Sequence, residues 1–320
     1  MKILIPPSDL HIDEKAPLHR IDDYYNKQFT KLNYCIDLGN KHKCDMMLQS
    51  GDFFNFSHDR VNYDLKSKKF QIKRITFETI AKTIKLLSKF KGKCFSVAGN
   101  HDQRNRMTSL ENTPLKVLYS SGVITQLNNT DPIIIDRNIN IYGMNYNDEI
   151  PIIKNSDSFN ILVAHIMVIK DKLWKQQEEY ENASIFLRKN KFDVIVSGDN
   201  HQSFDHHYGN KHLFNLGSLM RMNSKQLDHK PRCVIFDTKT RECESFDIPI
   251  DPSSEVFSIQ EIEDERNKKI DNEKIKDYYN SLLNEDKTTI KFEDNMETYL
   301  EENKISKVHS DIIYKNMGLR

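Results

Sequence analysis

The chain has 320 residues, 38% apolar and 29% charged, with 47 Lys+Arg against 47 Asp+Glu. That composition buries a sizeable core and excludes a chain that is disordered throughout. Zero net charge leaves no global case for nucleic-acid binding, so any such surface must be a local patch.

Lys2 to Ile5 reads as a short strand stopped by Pro6-Pro7, and Ser8-Asp9-Leu10-His11 follows at once. Ile21, Tyr25, Phe29, Leu32 and Ile36 have helical spacing over about 21–42. Asp45 to Gln49 is the next strand and ends in Ser50-Gly51-Asp52. A second amphipathic helix is predicted over about 70–90, from Phe70, Ile75, Phe77, Ile80, Ile84 and Leu87. Phe95 to Ala98 is a third strand, ending in Gly99-Asn100-His101-Asp102 with a glycine that permits a sharp turn. Strand, helix, strand, helix, strand, each strand closed by a polar cluster, is the order of a parallel sheet with ligands at its carboxyl edge.

The second half has a different rhythm. Residues 132–135 and 139–142 flank Asp136-Arg137-Asn138 as a hairpin. Phe159 to Ala164 is a buried strand ending at His165, a helix is expected over about 171–189, and Phe192 to Val196 runs into Ser197-Gly198-Asp199-Asn200-His201. Further β runs fall at 213–216, 233–236 and 243–250. Two sheets with helices outside them accommodate this order, an α/β class. From 251 the texture changes: 17 acidic and 11 basic side chains leave the tail at −6 and the first 250 residues at +6. The expected division is a catalytic domain over 1–250 and an acidic helical extension over 251–320, with helices near 271–284 and 295–316.

Cys35, Cys44, Cys94, Cys233 and Cys243 are scattered, with no CxxC pair, which argues against a disulfide framework or zinc ribbon and fits a reducing compartment. No signal-like N-terminus is apparent, and no apolar run approaches the ~18 residues of a membrane span. A soluble cytoplasmic protein is expected.

Metal-type ligands recur at five strand ends: Asp9 with His11, Asp52, Asn100 with His101, His165, and Asp199 with His201. In Asp-x-His the period-two alternation of an extended segment places both side chains on one side, where one cation reaches both. A lone Asp-x-His is usually polar surface, a lone His after a strand is usually a satisfied buried residue, and Ser-Gly-Asp is a common turn. Five such clusters in repeating order point to a metal site. Oxygen and nitrogen ligands without thiolates suit Mn²⁺ or a similar ion better than a structural zinc.

Asp9-Leu10-His11, Gly51-Asp52, Gly99-Asn100-His101-Asp102, His165 and Gly198-Asp199-Asn200-His201, with Gly217-Ser218 after them, resemble the ordered motifs of the calcineurin-like metallophosphoesterases. The resemblance covers about residues 1–250. It implies a two-sheet sandwich flanked by helices, with two divalent metals at the sheet edges. It places Asp9, His11, Asp52 and His201 around one metal. Asp52 would bridge to a second held by Asn100, His165 and Asp199. His101 would protonate the leaving oxygen or stabilise the transition state, with Asp102 orienting it. Two departures stand out: Asp199 replaces the first His of the usual Gly-His-x-His, and Asn55 stands where the family often has Asp or His.

Within the family the organisation most resembles the SbcD-type DNA-repair nucleases, and phage recombination nucleases look similar. That branch implies a Mn²⁺-dependent DNA exonuclease acting in repair or recombination. DNA, an SbcC-type coiled-coil ATPase and a second copy of the chain would be partners, with no membrane. The acidic extension would cap the substrate or dock the ATPase. Arg104 and Arg221, beside the motifs, are candidate phosphate contacts, as is Arg106. The Lys66, Lys68, Lys69, Lys73, Arg74 cluster reads equally as a phosphate contact or a solvated face. The competing functions are a small-molecule or protein phosphoesterase on the same fold and a binding scaffold with weakened catalysis.

Overall fold

In the computed structural model the described residues are 1–64, 69–104, 109–172, 177–284 and 292–316. They form two compact units, Met1–Val256 and Phe257–Arg320.

The first unit is built on two six-stranded mixed sheets flanked by helices. One sheet runs in the spatial order Cys243–Asp247, Arg232–Asp237, Lys2–Ile5, Met46–Gln49, Lys93–Ser96, Thr125–Gln126. The other runs Phe204–Tyr208, Lys211–Asn215, Val194–Gly198, Phe159–His165, Ile139–Met144, Ile133–Ile135. Lys2–Ile5, Met46–Gln49 and Lys93–Ser96 are parallel neighbours, so the loops that follow them leave one edge together. Phe159–His165 and Val194–Gly198 are parallel neighbours too, with Gly198 opposite His165.

The central strands are buried on both faces, which is why they read as nearly continuous apolar runs. Ile3, Ile5, Met46, Leu48 and Phe95 face Ile141, Ile161, Val163, Val194 and Val196 between the sheets. The alternate residues Leu4, Met47 and Cys94 turn outward onto Phe29, Leu32 and Ile36 of the helix Tyr24–Lys41 and Ile80 and Leu87 of the helix Phe77–Leu87. Leu162, Ala164 and Ile195 pack the same way on Phe186 and Leu187 of the helix Ala183–Lys189. Cys35, Cys44, Cys94 and Cys233 are buried thiols and Cys243 is exposed.

Three expected elements take other forms. The helix expected over 70–90 begins only at Phe77, and Lys69–Lys73 pairs antiparallel with Arg60–Asp64. The boundary is set by Thr76, whose hydroxyl accepts the Thr79 N–H as an N-cap. Replacing Thr76 by Ala is expected to cost about 1 kcal/mol, read as a shift in the urea midpoint. Of the helix expected over 171–189 the described residues hold Ala183–Lys189, because Glu181–Asn182 pairs with Val168–Ile169 and Asn182 then caps the helix, and 173–176 lie outside the described residues. The hairpin Ile133–Ile135 with Ile139–Met144 is as expected. The helix Pro114–Ser120 and the edge strand Phe204–Tyr208 had no clear signal in the sequence.

The second unit holds the helices Ile259–Asn284, Phe292–Glu302 and Lys307–Asn316. A small apolar cluster of Met296, Leu300 and Ile305 packs with Ile275, Ile313 and Tyr314. The single helix expected over 295–316 is broken at Lys304, which takes a left-handed φ of 52°. No described helix is long and apolar enough to cross a membrane.

Candidate metal centre

The loops after the parallel strands are locked to one another by backbone bonds. Asp52 O accepts the N–H of Leu10 at 3.0 Å and of His11 at 2.9 Å, which joins the first two clusters. Gly217 O accepts Ser8 N–H at 2.8 Å, and Asp9 O accepts Leu219 N–H at 2.9 Å, which joins the first cluster to the last loop. Gly51 and Gly99 serve close approach. A Cβ on Gly99 would lie 2.6 Å from Asp52 N, and one on Gly51 would lie 2.7 Å from Gly99 N. Gly51 takes φ 99°, but Gly99 has no positive φ, so its glycine answers crowding and not a turn. His11, Asp52 and Asp199 have φ of 45°, 51° and 80°. A left-handed backbone is unfavourable for side chains with a Cβ, so three strained positions cluster at this one edge.

The side chains converge in two groups that share Asp52. On one side His11 Nε2 is 3.1 Å from His201 Nε2 and 3.6 Å from Asp52 Oδ2. On the other, His165 Nε2 is 3.1 Å from Asn100 Oδ1, 3.6 Å from Asp52 Oδ2 and 3.8 Å from Asp199 Oδ1. Asp52 Oδ1 already accepts the His101 N–H at 2.9 Å, which leaves Oδ2 to both groups. Asp9, His11 and His201, and again Asp9, Asp52 and His165, bring one ligand atom each within 4.8 Å of one another.

The proton positions show why this arrangement suits cations. His165 Nδ1 lies 2.7 Å from Ser50 O, and a carbonyl only accepts, so Nδ1 carries the hydrogen. With Nδ1 so engaged, His165 turns Nε2 to the oxygens of Asn100, Asp52 and Asp199. Bonding the second ring nitrogen to a backbone carbonyl is how a metal-ligating histidine is usually oriented. Asp9 Oδ1 accepts Asp199 N–H at 3.0 Å, whereas Asp9 Oδ2 is buried without a hydrogen-bond partner among the described residues. Ligand atoms held about 2.1 Å from one ion lie roughly 3.0–3.4 Å apart, the separation seen for His11 and His201 and for His165 and Asn100.

Electrostatics agree with the geometry. Burial raises the Asp9 carboxyl well above the ordinary range, opposed by His165 and reinforced by Asp52. Burial also raises Asp52, helped by the nearby Asp102 charge. Burial and the other imidazoles lower His11, and lower His201 to about 4. Anions that resist ionisation beside imidazoles that resist protonation form a pocket short of positive charge, and divalent ions supply it. Asp9, His11, Asp52, Asn100, His165, Asp199 and His201 thus make a candidate dimetal site whose donors fit such ions.

The remaining expected residues divide. His101 lies beside the site, its ring centroid 4.6 Å from that of His11. Its Nδ1 is 2.9 Å from Asn55 O, so the Asn55 carbonyl orients it. Asp102, expected to do so, is buried and accepts the N–H groups of Phe53, Phe54 and Gly99, and burial pushes it up to about 6. It ties the second loop to the third. Arg104 is exposed and its N–H bonds Ser109 O at 3.4 Å. Arg221 does not stand as a substrate contact. It is 2% exposed, and its guanidinium donates to Leu227 O, Ser253 Oγ and Asp251 O. An arginine two residues after a buried Gly-Ser-Leu segment is drawn inward with it. Lys66, Lys68 and Arg106 lie outside the described residues. The carbonyls of Ser50 and Asn55, which orient His165 and His101, are not foreseen from the sequence, since a backbone carbonyl leaves no trace in residue type.

Residues 8–203 match the calcineurin-like phosphoesterase family, and the chain belongs to that family. Among solved structures it is similar to a dimetal phosphatase from Danio rerio, at 9% identity over 78% of this chain and 99% of that one, with a TM-score of 0.43. A novel archaeal phosphodiesterase is similar at 14% identity, over 77% of this chain and 99% of that one, with a TM-score of 0.39. Wild-type Vps29 from Entamoeba histolytica, complexed with zinc, is similar at 12% identity, over 78% and 100%, with a TM-score of 0.35. No curated protein matches the chain in sequence.

Proposed function

We propose that this chain is a metal-dependent phosphodiesterase acting on DNA, an SbcD-type exonuclease that uses two Mn²⁺ ions. The observation that carries the phosphoesterase reading is Asp52 Oδ2, which lies 3.6 Å from both His11 Nε2 and His165 Nε2, as a bridging carboxylate requires. Asp9, His11 and His201 would complete one ion's ligands, and Asn100, His165 and Asp199 the other's. Two bound divalent ions would activate water near neutral pH and offset the charge developing on the phosphoryl oxygens. His101, with Nδ1–H held by the Asn55 carbonyl, would present Nε2 to the leaving oxygen and, as the imidazolium, give it the Nε2 proton and end as the neutral ring. The ordered motifs and the helical extension support the DNA-repair branch, with the extension capping the substrate or docking an SbcC-type ATPase. Arg104 remains a candidate phosphate contact.

The test is an assay of end-labelled single- and double-stranded DNA with Mn²⁺, Mg²⁺ and Zn²⁺ in parallel. Mn²⁺-dependent degradation is expected. No DNA cleavage beside robust hydrolysis of a small phosphoester would sink the nuclease reading.

Asp199 bears on metal choice. A carboxylate in place of imidazole favours a harder ion. Asp199→His is expected to raise the Zn²⁺ to Mn²⁺ ratio retained after dialysis against both ions, read by elemental analysis. An unchanged ratio would remove Asp199 from the ligand set.

A further inference from the structure

Two clefts meet at the candidate centre, and Met167 and Asp199 line both. Their charges differ. The cleft of 660 Å³ on the His165 side is lined by Asp148, Glu178, Glu179 and Glu181, together with Tyr146 and Tyr180. No Lys or Arg among the described residues lines it. Lys172 Nζ lies 5.6 Å from the Tyr180 ring without forming part of the lining. The cleft of 810 Å³ on the His201 side is of mixed charge, lined by Lys225, Lys230 and Arg232, with His229, beside Asp228 and Asp247. Arg232 is already committed to Asp205 at 2.7 Å. Lys225 and Lys230 are exposed and have no ion pair among the described residues.

We infer that a polynucleotide lies in the His201-side cleft, its phosphates held by Lys225 and Lys230, and that the His165-side cleft takes a terminal nucleoside bearing no further phosphate. This rests on the phosphodiesterase reading above and adds which side of the scissile bond carries the strand. The physical reason is the polyanion itself. Each nucleotide adds a negative charge, so a continuous strand crossing both clefts would place a phosphate among four carboxylates. A single nucleoside brings no such charge. Its base can stack on Tyr146 or Tyr180, and its hydroxyl and amino groups can donate to the carboxylates. Asp199, at the junction, divides the two. Cleavage then proceeds from an end, because only a terminal residue can occupy the acidic cleft.

The experiment compares linear with closed circular single-stranded DNA in Mn²⁺, with bis(p-nitrophenyl) phosphate in parallel. Wild-type protein is expected to cut the linear form at least roughly tenfold faster than the circle. Reversing the acidic cleft with E178K/E179K should narrow that ratio towards one. Both side chains are exposed, so folding is little affected, and E178Q/E179Q should give the same direction. K225E/K230E should raise KM for linear DNA at least roughly tenfold and flatten its salt dependence, by about 0.7 in log–log slope for each lysine–phosphate pair removed. Equal rates on circle and line, a ratio unmoved by E178K/E179K, or a KM unmoved by K225E/K230E would overturn the inference alone. Turnover of bis(p-nitrophenyl) phosphate with no DNA cleavage would overturn the nuclease reading and the inference with it.

Discussion

Replacing His101 by Ala lowers turnover on any phosphodiester by roughly 10²–10⁴-fold, the usual worth of a positioned proton donor, while two ions per chain stay bound. The expectation follows from where His101 sits. Its Nδ1 is committed to Asn55 O, and its backbone N–H, not its ring, engages Asp52 Oδ1. The competing arrangement is real, because His11, Asp52 and His101 also bring ligand atoms within 4.8 Å of one another. Metal content separates the two. Lost turnover with full Mn²⁺ by elemental analysis assigns His101 to proton transfer. Loss of an ion in parallel makes it a ligand. The leaving group gives a further check, since an ester with a good leaving group needs less protonation and should suffer the smaller loss.

Asp52→Asn has the second large effect and removes both ions at once. Oδ2 faces His11 and His165 at the same 3.6 Å, so one carboxylate serves both halves. An amide keeps the shape and deletes the charge. A divalent ion at 100 times its Kd would stabilise the wild-type protein by about 2.7 kcal/mol per site. In the variant that stabilisation should vanish, as should turnover. The pH dependence carries a sign. Asp9 and Asp52 titrate above their unfolded values, so the folded metal-free protein binds more protons than the unfolded chain and loses stability as pH rises from about 4 through the raised values. His201, lowered to about 4, acts the other way, and its contribution is lost as pH falls from about 6.5 to that value. Asp52→Asn deletes one raised carboxyl, so in EDTA it should flatten the fall in melting temperature that follows as pH rises from about 4. Ion binding restores wild-type stability most strongly at high pH, where proton competition is weakest. Melting curves with EDTA and with Mn²⁺ at pH 5, 6.5 and 8 read both effects. A variant that still gains stability from Mn²⁺ would show that Asp52 is not shared.

The candidate donors are legible in the sequence because their signal is local. Each candidate donor follows a strand whose apolar run is readable, and donor chemistry is a property of residue type. What failed was whatever depended on where a side chain turns. Arg221 follows Gly217-Ser218 closely enough to suggest the site, yet packing draws it inward onto Leu227, Ser253 and Asp251. Asp102 stands next to His101 in sequence, but neighbours on a loop can point apart, and its carboxylate ties three backbone N–H groups instead. The helix over 70–90 was drawn too long because Phe70 and Ile75 continue its spacing by coincidence, while backbone pairing with Arg60–Asp64 claims residues 69–73.

By itself the sequence determined the kinds of ligand, their order along the chain, and the parallel arrangement that sets them on one edge. Periodicity, turn residues and donor chemistry are all short-range properties. Only the tertiary structure decided that Asp52 Oδ2 faces both His11 and His165, that the Asn55 carbonyl orients His101, and that Gly99 is needed where Asp52 crowds it. It also decided that, of the two clefts meeting at Asp199, one is lined by carboxylates with no described Lys or Arg and the other brings Lys225, Lys230 and Arg232. Each depends on residues tens to nearly two hundred positions apart, and only packing of the two sheets fixes such distances.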